Sequence, residues 1–144
     1  MRMQPNKPAE TFPSGIRRAW LDNNQIALIL THAELTDEVQ SAWHQLLAET
    51  LREWPEGQPI LLMQDLSQPG PIIPRTGRGG KFSSDLRNDR VIYNAIVIGD
   101  GRVKRVVSHL MRLAAIRESS HKERVFTSRD AAYAWLRQAM KSIQ

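Results

Sequence analysis

The chain has 144 residues, 41% hydrophobic and 24% charged, with a formal net charge of +5 and no cysteine. That length suits one domain with one real core, and the missing cysteine removes disulfides, thiolate metal sites and cysteine nucleophiles together. No apolar run approaches the roughly 20 residues needed to cross a bilayer, and Met1 to Pro5 lacks the apolar core of a secretory signal, so a cytoplasmic location is expected.

Met1 to about Ser14 carries Pro5, Pro8 and Pro13 with few apolar residues, and reads as a disordered lead-in to a single domain over 15–144. Ile16 to Thr31 reads as a hairpin lying toward a sheet edge. Asn23-Asn24 suits a two-residue turn, because asparagine tolerates positive φ. Thr36 to Trp54 reads as a helix. Thr36 caps it, Asp37 and Glu38 place negative charge in the first turn, and Val39, Trp43, Leu46, Leu47, Thr50 and Trp54 form one stripe. Pro55 and Gly57 stop it, and His44 falls beside the stripe as a surface or packing residue. Ile60 to Met63 is a buried strand ending in Gln64-Asp65-Leu66-Ser67.

A proline- and glycine-rich segment then runs from Gln68 to about Lys81, longer than loops inside compact domains usually are. It leaves a strand's carboxyl end, where open α/β sheets place their ligand sites. A short helix is expected over Ser83–Asp89. Val91 to Ile98 is an apolar run bounded by Gly99, as in a strand buried on both faces. Val103, Val106, Val107, Leu110, Leu113 and Ala114 then repeat at helical spacing within Arg102 to about Arg117. Arg124-Val125-Phe126 reads as a short edge strand. Thr127 is expected to cap a last helix with Asp130 at its third position, burying Ala132, Trp135, Leu136, Ala139 and Ile143. The order β-β-α-β-α-β-α-β-α predicts an α/β fold, a mixed central sheet of about five strands with helices packed on it.

The segment Glu123-Arg124-Val125-Phe126-Thr127-Ser128-Arg129-Asp130-Ala131-Ala132-Tyr133-Ala134-Trp135-Leu136 resembles the C-terminal signature of STAS-like proteins, the group similar to anti-sigma-factor antagonists. Ala95-Ile96-Val97-Ile98-Gly99 and Leu62-Met63-Gln64-Asp65-Leu66-Ser67 fit the same pattern, and the likeness covers most of the chain from Arg17 onward. The resemblance implies a small mixed α/β domain that works by binding, usually to another protein. It also implies a phosphorylated serine at a helix N-terminus, for which Ser67, Ser83 and Ser84 are the candidates here. The family's Asp-Ser-Ser/Thr-Gly pattern is not reproduced, since Asp65-Leu66-Ser67-Gln68 leads into prolines and glycines and Ser83-Ser84 lacks the flanking Asp and Gly. A lipid-carrier-like function is the alternative that the likeness suggests.

Charge is split along the chain, about −4 over residues 1–71 and +9 over 72–144, a positive field that could attract nucleic acid, anionic lipid or an acidic protein, drive head-to-tail self-association, or be simply a solvated basic face. Arg75, Arg78 and Lys81 sit among Gly77, Gly79 and Gly80, whose backbone N–H groups can approach an anion. The segment is not a P-loop, because Phe82 stands where Ser or Thr should follow Gly-Lys and Arg75 stands where the first glycine belongs. Arg102, Arg105, His109 and Arg112 form one basic stripe on the helix after Gly101. Specific nucleic-acid binding is not expected, since Trp20, Trp43, Trp54 and Trp135 all have core-facing periodicity. His32, His44, His109 and His121 show no metal spacing, and no Gly-x-Ser-x-Gly elbow occurs. Asp65 and Asp100, facing one cleft, are the remaining catalytic pair to consider, with capping or loop hydrogen bonding the better account of each.

The expectation is therefore a non-catalytic regulatory or interaction module without metal or cofactor, binding a protein partner through its basic loop and helix. The alternative is a carrier of a small apolar or lipid-like ligand. An edge strand and the split charge also make a homodimer an outcome to test.

Overall fold

The computed structural model describes residues 7–32, 36–67, 91–98 and 121–143. They form β1 (Glu10–Thr11), β2 (Ile16–Leu21), β3 (Ile26–Thr31), α1 (Asp37–Glu53), β4 (Ile60–Asp65), β5 (Ile92–Val97), β6 (His121–Phe126) and α2 (Arg129–Ile143). The class is α/β, with a mixed sheet of six strands in the order β1-β2-β3-β4-β5-β6. The first two pairings are antiparallel and the last three parallel. The helices expected over Ser83–Asp89 and Arg102–Arg117 lie outside the described residues.

The sixth strand comes from the segment read as disordered. Glu10 and Thr11 pair with Arg18 and Arg17, and the Phe12 N–H donates to the Ile16 carbonyl at 2.9 Å. Proline content argues against a long strand, but a two-residue edge strand tied down by side chains escapes that argument. The hairpin also departs from expectation. Leu21 pairs with Ile26, so four residues turn the chain, and Asp22, Asn23 and Asn24 all adopt positive φ (49°, 57° and 65°). Asparagine makes that conformation affordable where alanine would not. Asn23→Ala is expected to lower stability by about 1 kcal/mol and Asn23→Gly to leave it unchanged or raise it. Urea midpoints of the two variants measure the difference.

The first helix forms where the sequence places it. The Val39 N–H donates to Thr36 Oγ1 at 3.3 Å, and Asp37 and Glu38 occupy the first turn. Trp54 leaves the helical region (φ −65°, ψ 134°), as a residue before proline must. Val39, Trp43, Leu46, Leu47, Thr50 and Trp54 are all buried as expected, and Leu51 joins them. They pack on Ile16, Trp20, Ala27, Ile29, Ile60, Leu62 and Ile92, which define the α1 face of the sheet.

The opposite face presents Ile26, Leu28, Leu30, Leu61, Met63, Tyr93, Ala95 and Val97 to α2. Ala132, Leu136 and Ala139 are buried, Trp135 is half-buried at the margin, and the side chain of Ile143, also expected on this face, lies outside the described ones. A side chain the size of Leu136, removed from water this completely, contributes about 2–3 kcal/mol. The cap lies one residue later than expected: Ser128 Oγ, not Thr127, accepts the Ala131 N–H at 3.2 Å. Pairing to β5 runs through Phe126, whose carbonyl still accepts the Ile98 N–H at 2.9 Å. That leaves Thr127 to turn the chain.

The strand over Ile92–Val97 lies between β4 and β6, buried on both sides. It is an interior strand, as the continuous apolar run requires.

Candidate functional site

The carboxyl ends of β4, β5 and β6 lie side by side, with Asp65, Val97 and Phe126 in register. Asp65 is the last residue of β4 and is 1% exposed. A carboxylate buried this deeply needs compensation, and three donors supply it. The Ser67 N–H donates to Oδ1 at 2.9 Å and the Ser67 hydroxyl donates to the same oxygen. Arg129 Nε, from the first turn of α2, donates to Oδ2. Burial pushes the Asp65 carboxyl up, but the Ser67 side-chain and backbone hydrogen bonds and the Arg129 charge outweigh it and hold the group below its ordinary 3.8.

This arrangement limits the available chemistry. A general base works best with a pKa near the operating pH, and Asp65 is moved the other way. The Ser67 hydroxyl is bonded to a weakly basic oxygen and gains little nucleophilicity from it. Asp65 serves as a hydrogen-bond hub that joins the end of β4 to the start of α2. Asp100, the other carboxylate expected at this cleft, lies outside the described residues.

Ser67 is the one candidate phosphosite that the described residues contain, and it is half-buried against Asp65. Ser83, Ser84, the loop cations Arg75, Arg78 and Lys81, and the helical stripe Arg102, Arg105, His109 and Arg112 lie outside the described residues. Of the histidines, His32 is exposed and His44 half-buried.

Two polar networks escaped the sequence reading. Arg18 is buried on the α1 face and donates to Thr50 Oγ1 (2.9 Å), Glu53 Oε2 (3.1 Å) and both oxygens of Glu10 (2.9 and 3.1 Å). Its guanidinium lies over the rings of Phe12 (5.9 Å) and Trp20 (5.3 Å). Strand parity gave the signal, since Arg18 falls between Ile16 and Trp20 on the inward set. Further along the same face the Trp43 indole N–H donates to Gln64 Oε1 at 2.8 Å, and Gln64 Nε2 donates to Asn94 Oδ1 at 2.9 Å.

One and two turns further along α2 the hairpin is fastened to the helix. The Tyr133 hydroxyl donates to Asp22 Oδ1, and Arg137 Nε lies 3.4 Å from Asp22 Oδ2. The Asp22 hydrogen bond, then burial and the Asp22 charge, raise the Tyr133 phenol above its usual 10.0 despite Arg137. A raised acid pKa adds stability while the phenol stays protonated. The contribution is present below pH about 10 and lost as pH rises through the folded value. Tyr133→Phe is expected to cost about 1 kcal/mol near neutral pH and to remove this late step from a tyrosine absorbance titration.

Beside the site, β6 turns Lys122 and Arg124 outward on the α2 face, both exposed. Lys122 Nζ lies 5.3 Å from the Tyr93 ring and the Arg124 guanidinium 5.6 Å from Phe126. Trp135 bridges those rings, with centroids 5.7 Å from Tyr93 and 5.6 Å from Phe126. The expectation of four core-facing tryptophans holds for Trp20, Trp43 and Trp54, whereas Trp135 is half-buried and packs on the two rings that carry the cations. Comparison with protein-family models, with curated proteins and with solved structures finds no match to this chain.

Proposed function

We propose that the chain is a non-catalytic regulatory module of the STAS-like type that binds an acidic protein partner through basic groups around the strand ends. The state of Asp65 carries this reading. Its carboxylate takes three hydrogen bonds from Ser67 and Arg129 and is held below its ordinary value, which suits a strand end built to hold a conformation. Two further observations support the family likeness: among the described residues each strand neighbours the one before it in sequence, and Glu123–Leu136 forms the strand-to-helix junction expected of the closing signature. A cytoplasmic protein partner is the corresponding expectation.

A phosphate on Ser67 would stand against the Asp65 carboxylate and compete for Arg129, so modification there would loosen α2. Affinity capture from the native host, with wild type and with a variant carrying Arg75→Ala, Arg78→Ala and Lys81→Ala, tests the proposal. A partner held by wild type and lost by the triple variant supports it. Equal capture by both, or retention of a lipid alone in native mass spectrometry, sinks it in favour of the carrier alternative.

A further inference from the structure

We propose that the outer edge of β6 receives an extended acidic segment of a protein partner as a seventh strand. This rests on the acidic-partner reading above and adds the surface used and the conformation of the bound chain.

Among the described residues β6 ends the sheet and pairs with β5 alone. Its backbone parity follows from one bond. Phe126 accepts the Ile98 N–H, so in the parallel ladder Phe126, Arg124 and Lys122 turn their N–H and C=O groups toward β5. Glu123 and Val125 therefore turn theirs to the outside. An edge of this kind offers alternating donors and acceptors, which match another main chain. A phosphodiester supplies acceptors only and matches half of them.

Charge decides which chain fits. Lys122 and Arg124 are exposed on the α2 face of this edge, and no carboxylate of the described residues pairs with either. Tyr93 and Phe126 lie beneath them, which fixes the cations along the rim. A second copy pairing through β6 would bring four such cations onto one face, where like charges on adjacent strands repel. An incoming strand with acidic side chains on that face meets opposite charge at both positions. Glu123 lies on the α1 face, away from the cations, by strand alternation.

The probe is a labelled peptide of alternating valine and glutamate, titrated by fluorescence anisotropy into the full chain. It is compared with the valine–lysine counterpart, with oligothymidylate, and with two forms of the acidic peptide N-methylated at alternate residues of one parity or the other. N-methylation blocks main-chain donors on one edge of a strand and needs no change in the protein. Wild type is expected to bind the acidic peptide and not the basic one. N-methylation of one parity should weaken binding by about tenfold or more, while the other parity binds like the parent. Lys122→Glu with Arg124→Glu should abolish binding. Val125→Pro, which removes an outward N–H, should weaken it with the far-ultraviolet dichroism unchanged.

Equal tolerance of both N-methylated forms, or full binding by the charge-reversed variant, overturns the β6 edge while leaving an acidic partner elsewhere on the chain. No binding of the acidic peptide overturns the inference outright, with the host capture experiment still judging the broader reading. Binding of oligothymidylate with none of the peptide removes both.

Discussion

Asp65→Ala is expected to destabilise the protein by about 3–5 kcal/mol, the largest single effect of any polar substitution among the described residues. The cost comes less from a lost attraction than from what is left behind. The Ser67 N–H and hydroxyl lose their acceptor, and Arg129 loses its anchor at the start of α2. Arg129→Ala should cost less, about 1–2 kcal/mol, because its side chain is 47% exposed and Ser67 continues to satisfy the carboxylate. The pH dependence separates the hub from ordinary packing. A carboxyl held below 3.8 adds stability that is fully present above the unfolded value and lost as pH falls through the lower folded value. Wild type should therefore lose this contribution on acidification below pH about 4, whereas Asp65→Asn starts lower and lacks that part of the decline. Denaturant midpoints between neutral pH and the acid limb measure both. Parallel curves for the two proteins would show that Asp65 is not charged in the fold.

Arg18→Ala should cost about 3 kcal/mol, and Arg18→Met should recover most of that loss without recovering β1. The side chain is 7% exposed, but its two carboxylate partners are 41% and 52% exposed. The pair with Glu10 and Glu53 is therefore partly screened, and much of the arginine's value lies in its stem and its packing between Phe12 and Trp20. Methionine fills a similar volume without the demand for hydrogen bonds. It cannot hold Glu10, however. Chemical denaturation should rank the proteins wild type, then R18M, then R18A, while limited proteolysis within residues 7–14 should be fast in both variants. Slow cleavage in R18M would show that β1 is held by its main-chain pairing and not by the arginine.

Those substitutions probe places where local pattern and tertiary structure part company. The interior strand, the first helix with its cap and stop, and the buried face of the second helix were legible because each is written in one stretch, as a continuous apolar run or at period 3.6. The Asp65–Ser67 contact had a local signal too, since a side chain two residues before a backbone N–H forms an Asx turn. Arg129 had none. It lies 64 positions from Asp65, and only the packing of α2 across β4 and β5 brings the two together. Lys122 and Arg124 were passed over for a related reason. The sequence places Lys122 in a polar stretch before a three-residue strand over Arg124–Phe126, whereas the strand begins at His121, and the aromatic underlay of the two cations comes largely from β5 and α2. The hairpin and the one-residue shift of the second cap show the usual fault of sequence reading, a right element with a wrong boundary.

The strand order has a consequence for synthesis on the ribosome. Among the described residues no strand inserts between two that were made before it, so their sheet can grow outward from its first hairpin as the chain emerges, with no earlier pairing undone. The two described helices are not made together. The tryptophan-lined side acquires α1 after three strands, whereas α2, which packs on Leu28, Leu61, Met63 and Tyr93, comes last among the described elements. A nascent chain halted before Arg129 would therefore lack the contacts that Ala132, Leu136 and Ala139 make on this face, and a chaperone is expected to bind that form more readily than the finished chain.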